Sequence, residues 1–288
     1  MDIVIYGIIN SFILILIAFG FTLVYGVSRL PNFAHGAIYI FTGYVCWIIV
    51  NKLSLPFGIA ALLSIIASAL LGTFIYIFIL KRIRGMAMNE IIATYAIGVA
   101  IIEIFRWLGF KGSTYSIPEL TDKTIFIGDV PIDMQRILIV LIGGSVLLIV
   151  YLFTKYTKIG LAMRGIAQDE RAALMLGINS NLIGTVSMAI GSALCGFAAL
   201  MILPLGNVVV EAGYNALIYA LAVCIIGGIG SWAGSILAAF VIGFIQILTV
   251  SYYDPKFQMV FTLLAIILTL IIKPSGFFGK QKELEERV

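Results

Sequence analysis

Residues able to carry bond chemistry are scarce in this chain. Its single histidine, His35, and its three cysteines, Cys46, Cys195 and Cys224, are scattered through apolar sequence. One histidine without a Cys/His cluster cannot build a His-based metal site, so no metal is expected. No G-x-x-x-x-G-K-[ST] phosphate loop occurs, because Gly109-Phe110-Lys111-Gly112-Ser113-Thr114 has the wrong order. An H-E-x-x-H motif and a serine-nucleophile elbow are also missing. The chain is therefore expected to be no enzyme, to bind no cofactor and to hydrolyse no ATP itself. Glu103 and Arg106 lie three apart on one helical face inside an apolar run, where they can pair. Coupled carriers and channels place ionisable groups inside their spans, but a lone pair near a span end reads as structural. What is left to the polar residues is the passage of a solute.

The elements that position these residues are membrane spans. Of 288 residues, 62% are hydrophobic and 11% charged, where a soluble domain carries about a quarter charged. Uncharged windows cover 3–28, 30–51, 53–80, 137–154, 172–210, 212–253 and 257–272. The fold expected is all-α, a polytopic helical membrane protein with about eight to nine transmembrane helices, some broken. Soluble enzymes, nucleic-acid binders and single-span receptors with a folded ectodomain are excluded. Continuous runs at 64–80 and 137–153 also exclude a barrel of alternating polarity. The first residues, Met1-Asp2-Ile3-Val4, carry no basic region, so a retained first span is expected rather than a cleaved signal. The cysteines read as small packing residues. Many of the 29 glycines lie in apolar windows, where membrane helices use them for close approach.

Spans are expected near 3–27, 33–51, 56–80, 88–109, 137–154, 182–203, 214–230, 233–251 and 257–272, in one transmembrane domain over 1–288. Basic residues set their orientation. The cluster Lys81, Arg82, Arg84 and the connector 155–181, with Lys155, Lys158, Arg164 and Arg171, point to the cytoplasm, as does the charged tail 273–288. The segment 110–136 is acidic and holds Pro118 and Pro131, which suits an external loop. If 33–51 crosses fully there are nine spans with the N-terminus outside. If it is broken there are eight with the N-terminus inside.

Three segments stand out. In the connector, Asp169 can cap a short helix from Glu170 and Gly177 can end it in the left-handed conformation, with Asn179 capping the next span. The helix between is apolar, and either a groove on another subunit or the lipid surface can cover it. In Gly227-Gly228-Ile229-Gly230-Ser231-Trp232-Ala233-Gly234 a helix breaks, either to offer half-helix ends to a substrate or simply to turn. In Asn32-Phe33-Ala34-His35-Gly36 the histidine can meet substrate, report pH or bond a broken helix end.

These segments occur in order with Thr22-Leu23-Val24-Tyr25-Gly26-Val27, with Ile92-Ala93-Thr94 and Gly98, and with Thr157-Lys158-Ile159-Gly160-Leu161-Ala162-Met163-Arg164-Gly165-Ile166-Ala167-Gln168-Asp169, followed by Ala172-Ala173 and Gly177-Ile178-Asn179. Over residues 22–276 the set resembles the permease family of branched-chain amino acid ABC transporters, of the LivH type. The resemblance implies the membrane-spanning subunit of an ATP-driven importer that carries branched-chain amino acids across the plasma (inner) membrane. It implies a second related permease, two cytoplasmic ATP-binding subunits that use the ATP, and an extracytoplasmic amino-acid-binding protein. No nucleic acid is expected as partner. A permease for urea or short-chain amides in the same family, and a self-sufficient channel or carrier, are the alternatives. The substrate path is expected along Asn32, His35, Gly36, Thr94, Gly227, Gly228 and Gly230. Coupling to the ATPase falls to Arg164, Asp169, Ala172, Ala173, Leu174 and Gly177. Two positions depart from the pattern. Arg171 stands where an E-A-A-x-x-x-G coupling motif has glutamate, and Ala37 follows A-H-G where a polar residue is usual.

Overall fold

A computed structural model describes residues 2–29, 31–110, 115–121, 123–127, 130–228 and 230–279. Met1, Leu30, the stretch 111–114, Asp122, Gly128, Asp129, Ile229 and the tail from Lys280 lie outside the described residues. Helices begin where a side chain or a proline deals with the first free amides. Thr157 Oγ1 accepts from Gly160 N at 3.0 Å, and Asp169 Oδ1 accepts from Ala172 N at 3.0 Å. Asn179 Oδ1 accepts from Leu182 N at 3.1 Å, and Ser231 Oγ accepts from Gly234 N at 3.2 Å. Pro56 precedes a helix in extended backbone.

These signals delimit α1 (Asp2–Ser28), α2 (His35–Lys52) and α3 (Phe57–Ile75), which runs through a π-helical turn at Tyr76–Leu80 into α4 (Lys81–Ile83). Then come α5 (Ala87–Trp107), α6 (Met134–Tyr156), α7 (Lys158–Gln168), α8 (Glu170–Met175) and α9 (Ser180–Ile202). The series closes with α10 (Val210–Gly227), α11 (Trp232–Tyr252) and α12 (Gln258–Ile272). Among the described residues eight helices are long and apolar enough to cross a membrane. The long helix left over, α2, has 18 residues, about 27 Å of rise. Its sequence is less apolar because protein, not lipid, surrounds it: Gly36 to Ile40, Thr42 to Tyr44 and Cys46 are all buried.

The two ends of the bundle differ. At one end Tyr6 Oη donates to Pro131 O at 2.6 Å, in an antiparallel hairpin of β1 (Thr124–Ile127) and β2 (Val130–Asp133). At the other, Arg29 Nη2 donates to Gln168 O at 2.9 Å beside the connector, and Arg84 and Arg164 also lie there. The N-terminus is therefore on the hairpin face and Gly279 on the basic face, the parity of nine crossings. Within segment 33–51 the helix runs uninterrupted from His35, but it starts in the interior: His35 Nε2 lies 3.0 Å from Ile17 O, halfway along α1. Several expected boundaries shift: α6 begins at Met134, not 137, and α10 at Val210, not 214. The second-last break comes at Gly228, not 230, and the third span runs on to Ile83. The hairpin is an addition to the all-helical reading.

Packing centres on α1, buried almost throughout from Leu14 to Tyr25, with α9, α10 and α11 around it. Hydroxyls and amides cross-link the helices: Thr22 Oγ1 with Ser235 Oγ at 3.1 Å, Asn10 to Gln246 at 2.9 Å and Gln246 to Thr262 at 3.0 Å. Close approach depends on glycine where α2 meets α10. A Cβ at Gly213 would stand 2.6 Å from both Gly36 O and Ile40 Cγ1. Gly213→Val is thus expected to lower stability by about 3 kcal/mol. Gly58→Ala, with nothing within 4 Å, should change it by under about 1 kcal/mol. Thermal unfolding of the two variants in detergent checks the contrast.

Candidate functional site

Between α1 and α2 the chain turns back into the bundle at residues 31–34. Such a turn exposes amides at membrane depth, which is tolerated only inside protein. Here Thr94 Oγ1, from α5, accepts from Phe33 N at 3.3 Å, and Asn32 Oδ1 accepts from Ala34 N at 3.1 Å. Asn32 and Thr94 thereby share the wall of a cleft with Tyr76, Arg84 and Glu90. Its free volume is about 30 Å³, room for about one water, so the cleft is nearly closed. Glu90 was passed over in the sequence reading, which singled out Glu103 and Arg106. Those two pair at 2.6 Å and stay well exposed. Glu90 is 8% exposed, and its Oε1 accepts from Gly85 N at 2.9 Å. An acid two residues inside the span's expected start was the available signal.

The other expected path residues lie elsewhere. His35 is 2% exposed and packs edge-on against Phe21, centroids 5.5 Å apart. It serves the helix end it begins and the α1 carbonyl, not the cleft. Gly36 faces a shallow groove with Tyr95, Gly98 and Tyr214, where it lets α10 approach. Gly227, Gly228 and Gly230 form a turn at the basic face. Gly228 and Gly230 take φ of 98° and 71°, and Phe277 N and Phe278 N donate to Ile226 O and Gly227 O at 2.8 and 3.0 Å. Of the seven residues, the structure brings Asn32 and Thr94 to one site.

The connector folds as its sequence suggests. Gly177 has φ 81°, with Gly177 N donating to Leu174 O at 3.0 Å and Ile178 N to Ala173 O at 3.1 Å. These two bonds close a Schellman cap on α8, and Asn179 starts α9 at once, so α8 and α9 are joined without slack. Ala173 is 3% exposed, packed with Met163, Ile166 and Ile183. It holds α8 to the body and offers nothing outward. The outward edge is Leu174, Met175 and Leu176, exposed by 50, 88 and 82%. Met175 and Leu176 belong beside Leu174 in the expected contact set. Arg164 caps the end of α6, its Nη2 donating to Lys155 O at 3.1 Å.

Charge fastens α8 a second time. Glu170 Oε1 lies 2.6 Å from Arg84 Nη2, and Arg84 Nη1 donates to Tyr76 Oη at 3.1 Å and Ser180 Oγ at 3.2 Å. The glutamate that Arg171 displaces from the motif is thus supplied one position earlier. One guanidinium ties α8, the first turn of α9 and the π-helical turn after α3, and it reaches the cleft wall of Asn32 and Thr94. The burial contrast on α8 gives a direct check. Ala173→Asp buries an unpaired carboxylate and should cost about 3 kcal/mol or more of stability. Met175→Asp should cost under about 0.5 kcal/mol, as read by unfolding midpoints and yield from membranes.

Comparison with known proteins agrees with this architecture. Residues 3–270 match the family model described as branched-chain amino acid transport system / permease component. The high-affinity branched-chain amino acid transport system permease protein BraD of Pseudomonas aeruginosa is 30% identical over 281 residues, 92% of this chain and 91% of that one. LivH of Salmonella typhimurium is 26% identical over 280 residues, 92% and 91% of the two chains. Among solved structures, PsaBC from Streptococcus pneumoniae in complex with Fab shares the fold, with a TM-score of 0.53 at 12% identity over 100% of this chain and 96% of that one. The chain is a multi-pass membrane protein of the plasma membrane, a transport subunit and not an enzyme, and it belongs to the permease component family of branched-chain amino acid transport systems.

Proposed function

We propose that this chain carries branched-chain amino acids inward as the permease subunit of an importer whose ATP is spent in separate subunits. Two cytoplasmic ATPases, a second related permease and an extracytoplasmic amino-acid-binding protein complete the machine. The basic face is cytoplasmic by the charge of its short loops. The single observation that carries the reading is α8: an outward edge of Leu174, Met175 and Leu176 on a helix fastened behind by Ala173, the Gly177 cap and the Glu170–Arg84 pair.

Mechanism follows from those fastenings. An ATPase that closes on ATP moves the greasy edge it holds. Without slack at Gly177 to Asn179, α8 carries α9 with it. Through Glu170 and Arg84 it also pulls the π-helical turn 76–80, a segment type frequent at functional sites. Both elements wall the Asn32–Thr94 cleft, Tyr76 from the turn and Met188 from α9. Their displacement opens a passage that is now one water wide. There the Asn32 amide, the Thr94 hydroxyl and the Glu90 carboxylate give a zwitterion both donors and acceptors. Neighbouring apolar walls such as Val24 and Leu80 suit an aliphatic side chain.

Arg84→Gln should therefore lower uptake about fivefold, a coupling loss of about 1 kcal/mol, while the assembled ATPase still turns over. The swapped pair Arg84→Glu with Glu170→Arg should recover part of it. Full uptake in either single variant at normal expression contradicts the joint. For the substrate, proteoliposomes holding the whole assembly should accumulate leucine, isoleucine and valine with ATP, with no competition from urea or acetamide. The isolated chain should accumulate none of them. Competition by acetamide would favour the amide reading, and uptake by the chain alone would favour a self-sufficient carrier.

A further inference from the structure

A roomier cavity, about 300 Å³, lies at the basic face on the other side of the last turns of α1 from the Asn32–Thr94 cleft. Its wall includes Leu23 of α1, Tyr151 and Lys155 of α6, Met163 and Arg164 of α7, and Trp232 at the start of α11. None of these residues takes part in the path or in the outward edge of α8.

Two cations and two amphipathic rings meet there over an apolar floor. Lys155 Nζ stands 5.6 Å over the Tyr151 ring and 5.2 Å over Tyr156. Arg164 gives one nitrogen to Lys155 O, and its other donors are left for a ligand. Among the described residues neither cation forms an ion pair; the pairs formed are Arg84–Glu170, Arg106–Glu103 and Arg136–Asp133. Trp232 is fixed edge-on against Phe19, centroids 4.8 Å apart, and lies 6.3 Å from the Tyr151 ring, which brings α6 and α11 together at the rim. Both helices pack on α1, with Gly143 against Leu16 and Gly243 against Ser11. Away from the rim they turn apolar side chains outward: Leu148 and Ile149 of α6, and Ile236 and Leu237 of α11, are 40–63% exposed.

Positive charge at the cytoplasmic surface, tyrosine and tryptophan at the level where headgroups meet chains, and aliphatic flanks beyond form the sequence of environments that a phospholipid presents in reverse. A free phosphate would satisfy Lys155 and Arg164 but would leave the outward aliphatic side chains Leu148, Ile149, Ile236 and Leu237 uncovered. We propose that this cavity binds an anionic phospholipid, its phosphate between Lys155 and Arg164 and its chains along the outer faces of α6 and α11. The site is independent of the substrate reading. It makes α7, and thus the approach to α8, sensitive to lipid charge.

The test uses the assembled transporter in vesicles doped with a photoactivatable phosphatidylglycerol or its phosphatidylcholine counterpart, with labelled residues mapped by peptide mass spectrometry. Labelling within 148–164 should favour phosphatidylglycerol about thirtyfold, the expectation for two surface cations. It should fall to parity in Lys155→Gln with Arg164→Gln and persist in Lys155→Arg with Arg164→Lys. Trp107, 84% exposed on the hairpin face, should be labelled equally by both lipids. Equal labelling at 148–164 in the native chain would mean ordinary annular lipid and overturn the site. Preference abolished by millimolar inorganic phosphate would assign a free anion instead. No labelling there by either lipid would mean that another subunit covers the face, which also overturns it.

Discussion

A peptide group cannot be left without a partner in hydrocarbon, and every departure from helix within this bundle is closed by another element. The turn at 31–34 borrows Thr94 from α5. After α9, the extended stretch before α10 is fastened by Val208 N donating to Tyr115 O at 2.7 Å. Where α10 ends, Ile226 O and Gly227 O accept from Phe277 N and Phe278 N, brought from far along the chain. Each irregular segment is thus also a junction between elements distant in sequence, so a movement at one reaches several helices. A nearly closed cleft walled by several elements follows from that constraint more than from any single side chain.

Charge obeys the same economy. Cations gather at the connector and at the end of α4, where water and neighbouring subunits can reach them. Arg84 is the exception that reaches inward: at 24% exposure it is half enclosed, and three separate elements use its donors. On the proposed reading, outside work enters through the exposed edge of α8, Leu174 to Leu176.

Most of the fold was legible because lipid imposes long apolar runs, and the runs mark α1, α3, α6, α9, α11 and α12 directly. Cap residues did as much for the connector: Asp169, Gly177 and Asn179 act as their types dictate. Three features were harder. The hairpin was read as loop although Thr124 to Ile127 and Val130 to Asp133 flank a Gly-Asp pair, a known hairpin signal, because acidic and proline residues dominated the segment. Which face of α8 points outward was not legible, since six residues are too few to show a period and Ala173 and Leu174 look alike until α9 is in place. The site itself was half legible. Polar types at 32, 35 and 94 mark an interior break, but depth and direction come from tertiary packing, which places His35 against α1 and Gly227, Gly228 and Gly230 at the basic end of the bundle.

The central claim is that the exposed edge of α8 sits in a groove of an ATP-binding subunit. Cysteine cross-linking tests it most directly, because Cys46, Cys195 and Cys224 are all buried and Leu176→Cys supplies one reactive thiol on the edge. In native membranes, with a bifunctional thiol reagent and cysteines along the ATPase groove, Leu176→Cys should join the ATP-binding subunit in a yield that changes when ATP is added. A Leu176→Cys thiol that joins only lipid-embedded partners, or that joins nothing at full transport activity, contradicts it.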